Sequence, residues 1–169
     1  MDIGRVFREF SQLEKKRAHG ELTSEELARW TACNSVLAKR LTPGVPEELT
    51  SQRKSVRVPT RLGLSFSNLG ELRQCLMTDL SRGGLFIRTD RPVDLGTRVE
   101  LTIRIGDKDA IVKVRAEVVS HNIGPNFRTH QRGMGLRFRD MDEGTEKQIA
   151  ELYEDSLRHA TDLQLSGKR

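Results

Sequence analysis

A chain of 169 residues, 36% hydrophobic and 31% charged, is sized for one ordinary domain plus a small appendage and is too apolar to be disordered. No apolar run approaches the ~20 residues that span a bilayer. The charged start Met1-Asp2-Ile3-Gly4-Arg5-Val6 lacks a signal-peptide core, so the expected compartment is the cytoplasm. Residues 1–50 hold eight basic and eight acidic side chains, so the net charge of +5 comes entirely from residues 51–169. That basic part attracts anions in general, which sets the sign of a ligand and no more. Cys33 and Cys75 fall in different segments without metal spacing and read as small buried residues in a reducing compartment.

Ile3, Val6, Phe7, Phe10 and Leu13 recur at helical spacing and predict a first helix ending near Ala18, closed by His19-Gly20 with Gly20 as its C-terminal cap. Thr23 and Glu26 form a capping box for a second helix, with Leu22 able to staple against Leu27. That helix carries Trp30, Cys33, Leu37 and Leu41 and stops before Pro43. So short a link folds the two helices into an antiparallel hairpin over residues 1–42. A hairpin of this size buries little by itself, so its apolar stripe needs either the following domain or a second subunit. It is a stabilising appendage, or a dimerisation or target-binding element.

Residues 43–51, with Pro43, Gly44 and Pro46, form a linker, and the polar stretch continues to Ser55 as an arm able to order over a ligand. Six strands follow. Val58, Thr60, Leu62, Leu64 and Phe66 alternate with polar residues; a turn at Ser67-Asn68-Leu69-Gly70 leads to the strand 72–80; 85–88 is the third. Val99, Leu101, Ile103 and Ile105 alternate in the fourth, Val112, Val114, Ala116 and Val118 in the fifth, and 134–139 is the last. One apolar and one polar face at short spacing indicate an antiparallel barrel or sandwich. The stretch 121–132 reads as an irregular loop whose His121 and His130 are solvated or touch a ligand or partner. Asp142 caps a final helix with Ile149, Leu152, Tyr153 and Leu157 on one face, covering a barrel end or edge, and residues 161–169 read as a tail frayed from Leu163.

Two stretches carry chemistry. Thr78-Asp79-Leu80-Ser81-Arg82-Gly83-Gly84 is a polar turn between apolar runs. Asp79 and Ser81, two apart, share one side of a strand end, and the glycines let the backbone turn and approach a ligand. A carboxylate accepts from adjacent N–H donors such as the N1 and N2 edge of guanine, and a hydroxyl donates to phosphate or carbonyl oxygen. Upstream, Arg53-Lys54-Ser55-Val56-Arg57 offers two guanidinium forks that match phosphate or guanine bidentately and stack on bases. Together they describe a site for an anionic guanine nucleotide.

In this order, with the strand pattern behind them, the two motifs resemble those of the PilZ family of cyclic di-GMP receptors, over about Gln52 to Phe138. Gly133-Met134-Gly135-Leu136-Arg137-Phe138 resembles the family's late Gly-x-Gly strand, which packs beneath the ligand. The resemblance implies a mainly-β fold: a six-stranded antiparallel PilZ-type β-barrel over 52–160, including its C-terminal helix and preceded by the helical hairpin. It implies Arg53, Arg57, Asp79, Ser81 and Gly84 as ligand-binding residues, with Lys54, Gly83 and Gly135 as further candidates. The expected activity is that of a non-enzymatic receptor with no cofactor or metal. It binds cyclic di-GMP and passes the signal to an effector protein through ordering of the arm, with a homodimer through the hairpin as a further expectation.

Each motif alone has a bland reading: a turn satisfying its own backbone, and a solvated charge cluster. The alternatives in function are a PilZ-like adaptor without nucleotide and a nucleic-acid-binding barrel. The second is disfavoured by six Phe, one Trp and one Tyr with no aromatic ladder. No nucleophile–base pair, metal set or P-loop suggests an enzyme.

Overall fold

The computed structural model describes residues 2–41, 56–68, 71–104, 111–125 and 131–165. Two helices, α1 (Ile3–Ala18) and α2 (Ser24–Leu41), precede six strands, β1 (Val58–Asn68), β2 (Glu71–Ser81), β3 (Gly84–Arg88), β4 (Arg98–Arg104), β5 (Ile111–Asn122) and β6 (Gly133–Arg139), and a last helix, α3 (Glu143–Leu165). They divide into two compact units: Pro59–Tyr153, and Met1–Val58 with Glu154–Arg169.

Local caps bound the helices of this unit, and those at Gly20 and at Thr23 with Glu26 are the expected ones. Asp2 accepts from the Gly4 N–H at 2.9 Å. At the other end of α1, Gly20 takes φ +72°, and the N–H groups of Gly20 and Glu21 bond Arg17 and Lys16 carbonyls at 3.1 and 3.0 Å, a Schellman closure. The capping box of α2 forms, with Thr23 N–H donating to Glu26 and Glu26 N–H to Thr23 Oγ1. Between the helices Phe10 stacks on Trp30 at 6.0 Å. The Trp30 indole donates to buried Glu14, and Lys16–Glu26 and Arg29–Glu9 close the rim. Burial raises the Cys33 thiol above its ordinary range, which disfavours the thiolate form.

The two halves of α3 fall in different units. Residues from Glu154 onward belong with the hairpin, and Lys15 pairs with Glu154 at 3.5 Å. Val6, Phe10, Leu13, Leu37 and Leu41 of the hairpin are buried, as is Leu157 in the same unit. The expected tail is helical as far as Leu165, and Thr161, only 2% exposed, donates to the Leu157 carbonyl. The linker 43–51 lies outside the described residues.

In the other unit the strands follow the order β1-β2-β3-β6-β5-β4, and β1 pairs with β4 from Leu64↔Ile103 to Ser67↔Glu100 to complete the barrel. Alternation puts one side chain in two inside. Leu80, Leu85, Leu136 and Val118 make one interior row, and Val99, Ala116 and Phe138 another. Each large aliphatic so buried contributes about 1.5–3 kcal/mol over exposure. Ile149, Leu152 and Tyr153, on the half of α3 in this unit, are buried as their spacing predicts.

Candidate functional site on the outer face of the barrel

The register of β2 against β3 shifts between Met77 and Asp79: Met77 opposes Ile87, and Asp79 opposes Phe86. Thr78 is the extra residue of a β-bulge. Met77 and Leu80 are both fully buried although three apart, which strict alternation forbids. Without the bulge Asp79 would point into the core; with it, Asp79 and Ser81 face outward. A second bulge, between Val118 and Ser120 in β5, turns Ser120 outward opposite Gly135.

Cross-strand partners share a face, so the registers define two outward rows. One runs Asp79, Phe86, Gly135, Ser120; the other runs Ser81, Gly84, Arg137, Glu117, Arg98. Asp79, Ser81, Gly84 and Gly135 are thus brought together as the motifs imply. Ser81 Oγ donates to the Gly84 carbonyl at 3.0 Å, and the Gly83 carbonyl accepts from Phe138 N–H at 3.0 Å, which ties the turn to β6. With its proton on Gly84, Ser81 presents lone pairs; donating to a ligand requires its hydroxyl to swing.

The adjacent glycines have different reasons. Neither Gly83 nor Gly84 has positive φ, so the turn does not need their conformational freedom, contrary to the expectation for that pair. A Cβ on Gly84 would lie 2.1 Å from the Leu136 carbonyl oxygen, so glycine there allows β3 and β6 to approach. Gly83 is exposed, with nothing within 4 Å of such a Cβ. The late Gly-x-Gly makes room for close neighbours: a Cβ on Gly133 would stand 2.0 Å from the Ile87 carbonyl oxygen and 2.7 Å from Phe86 Cε1, and one on Gly135 2.4 Å from Ser120 Oγ.

Of the upstream motif, Arg53 and Lys54 lie outside the described residues, as does the arm from Pro43 to Ser55. Arg57 is described: it is exposed, one residue before β1, and falls in the helical unit rather than with Asp79. His121 is corrected: it is part of β5, its Nε2 lying 2.7 Å from the Val93 carbonyl oxygen, and is no loop histidine. His130 is outside the described residues. No group of His, Cys, Asp and Glu that could hold a metal occurs among the described residues.

Sequence reasoning missed Phe86, Arg137 and both bulges. Arg137 was findable as the polar position between Leu136 and Phe138. The β2 bulge was findable from the odd spacing of Met77 and Leu80.

The PilZ domain model matches residues 51–155, more than half of the chain. The chain belongs to the PilZ domain family. Its fold is shared by the PilZ domain of YcgR from Escherichia coli with c-di-GMP, at 16% identity and a TM-score of 0.55 over 70% of this chain and 99% of that one. YcgR of Escherichia coli in complex with c-di-GMP gives 16% and 0.56 over 69% and 51%. The Bacillus subtilis inhibitor of motility MotI/DgrA gives 21% and 0.50 over 70% and 53%. This PilZ chain thus spans about half the length of the latter two. No protein of curated function matches it in sequence. No described helix is long and apolar enough to cross a membrane.

Proposed function

We propose that this PilZ chain is a receptor for cyclic di-GMP that passes the signal to a partner protein in the cytoplasm. The observation that supports it most is the bulge at Thr78, which spends a strand irregularity on turning Asp79 outward beside Ser81. Asp79 reads the N–H edge of guanine, and Arg53 and Arg57 close on the nucleotide from the chain segment that leads into β1. The cyclic di-GMP in two of the similar structures supports the same ligand. PilZ domains are receptor and adaptor domains, and binding without catalysis is the activity assigned here.

The relay runs through the arm. Polar residues 43–57 have little apolar periodicity to hold them, and ordering them over bound phosphates would change how the hairpin is presented to an effector or a second copy. The charged contacts must offset the cost of ordering, so coupling requires a difference in affinity between the two states.

Calorimetry with cyclic di-GMP tests the reading. Arg57→Ala should remove a contact worth about 1.5–3 kcal/mol and weaken binding ten-fold or more. Cyclic di-AMP should compete poorly, because its base lacks the edge Asp79 accepts from. Hydrogen exchange on residues 43–57 should slow when nucleotide is bound; equal exchange in both samples would rule out the arm as the relay. No heat with either dinucleotide would leave an adaptor without nucleotide.

A further inference from the structure

We propose that Arg137, outside both recognised motifs, is a phosphate-gripping residue of the same site. The inference rests on the nucleotide reading above and extends it to a guanidinium fixed on the sheet.

Arg137 is exposed on β6, directly across from Gly84, which itself opposes Ser81. Two strand spacings of about 4.8 Å put the backbones of Ser81 and Arg137 roughly 10 Å apart. Nothing projects between them, because Gly84 has no side chain and no room for one. Its other neighbour in the row, Glu117, is already engaged: Arg139 donates to Glu117 Oε2 from Nε at 2.9 Å and from Nη2 at 2.8 Å. Arg137 has no ion pair among the described residues, so its fork is available to a ligand.

Charge places the ligand's parts. The Asp79 carboxylate repels phosphate and suits the base, so the phosphate belongs to the adjacent row, about 7 Å along the strands, where Ser81, Gly84 and Arg137 lie. A planar fork on a strand is partly ordered before binding, unlike an arginine on an arm, and spends less of its contact on ordering.

Arg98 ends the same row beyond Glu117 and carries the same charge, which makes it the control. Titrations of cyclic di-GMP into the full chain and its Arg137→Ala, Arg137→Lys and Arg98→Ala variants, at low and high salt, decide the matter. Arg137→Ala should bind ten-fold or more weakly with a shallower salt dependence, Arg137→Lys should recover part of the loss, and Arg98→Ala should stay within about two-fold. If alanine loosens β6, as a lowered thermal midpoint would show, Arg137→Gln takes its place. Wild-type binding with Arg137→Ala or its Gln substitute within two-fold overturns this inference and leaves the site reading intact. Equal losses for Arg98 and Arg137 overturn it in favour of general attraction. Absence of wild-type binding overturns the nucleotide reading itself.

Discussion

The helical hairpin and the outer face of β2, β3 and β6 are built from the same residue types and use them for opposite ends. In the hairpin, Glu14 is 2% exposed and takes the Trp30 indole N–H, while Arg17 sits 3.3 Å from Glu14 and 4.4 Å from the Trp30 ring centroid. Acid, guanidinium and aromatic ring close on one another and hold two helices together. On the sheet face, an acid (Asp79), a guanidinium (Arg137) and a ring (Phe86) stand in neighbouring rows, and the guanidinium's acidic neighbour is bonded to a different arginine. Residue identity does not separate a structural arginine from one proposed to grip a ligand. What separates them is whether the element beside it supplies a partner.

Two adjacent glycines give the sharpest way to break that contrast. Gly84→Val drives a side chain into the Leu136 carbonyl, so β3 and β6 must part. The expected cost is about 3 kcal/mol or more, the upper end of overpacking effects. Gly83→Ala meets open space at an ordinary φ and should stay within about 0.5 kcal/mol of wild type, or gain slightly through the unfolded chain. Urea unfolding of both variants measures the difference. If both are tolerated alike, the close approach of β3 to β6 is wrong. A binding loss in a Gly84 variant would report on folding first, whereas one in folded Gly83→Ala would report on the ligand.

The hairpin cluster carries the next largest effect. Glu14→Ala leaves the Trp30 N–H buried without its acceptor and Arg17 without its acid, which costs about 1–3 kcal/mol; the lower figures reflect solvent at half-exposed Arg17. Thermal unfolding should register that loss while affinity for cyclic di-GMP is unchanged. Lost affinity in a folded Glu14→Ala protein would mean that the two regions do not divide the work as argued.

Much of this was legible beforehand, for reasons that differ by region. Both hairpin helices were readable because caps and stripes are local: Thr23, Glu26 and Gly20 act within a few residues of themselves. The strands were readable from alternation, and the outward placement of Asp79 with Ser81 from their spacing. The bulge at Thr78 leaves a local trace in the three-residue spacing of Met77 and Leu80, but the seat of Phe86 beside Gly133 depends on which strand lies opposite, a non-local fact that alternation does not carry. The same holds for the place of Arg137: its polar position between Leu136 and Phe138 was visible, but its place across from Gly84 appears only when β6 is laid against β3. The partition of α3 was hidden because one continuous helix serves two units, and no cap or glycine marks Tyr153-Glu154.

The smallest effect lies in two helix starts, one in each unit, each held by a carboxylate but against different partners. Asp142 accepts the Thr145 N–H at 2.7 Å, and that bond holds its carboxyl below the ordinary aspartate range. Glu26 is lowered first by Lys16 and then by the Thr23 N–H. Both folded values lie below the unfolded ones, so the unfolded chain binds more protons in the window between them. The stabilisation is complete above the unfolded values, near pH 4, and is lost as pH falls through the folded ones; between pH 6 and 8 neither carboxylate contributes a slope. Salt distinguishes them. Lys16 and Glu26 form an exposed pair at 2.6 Å that added salt screens, whereas Asp142 is held by an uncharged N–H that salt barely touches. Amide exchange at the first turns of α2 and α3, followed from pH 6 down to 3 at low and high salt, should show both ends loosening below about pH 4. Only the α2 end should loosen with salt at pH 6. Asp142→Asn, which caps without titrating, should abolish the acid loosening at α3 and leave that at α2 untouched. Acid loosening of α3 that persists in Asp142→Asn would assign it to another carboxylate and remove Asp142 as the group that fixes this helix to the end of β6.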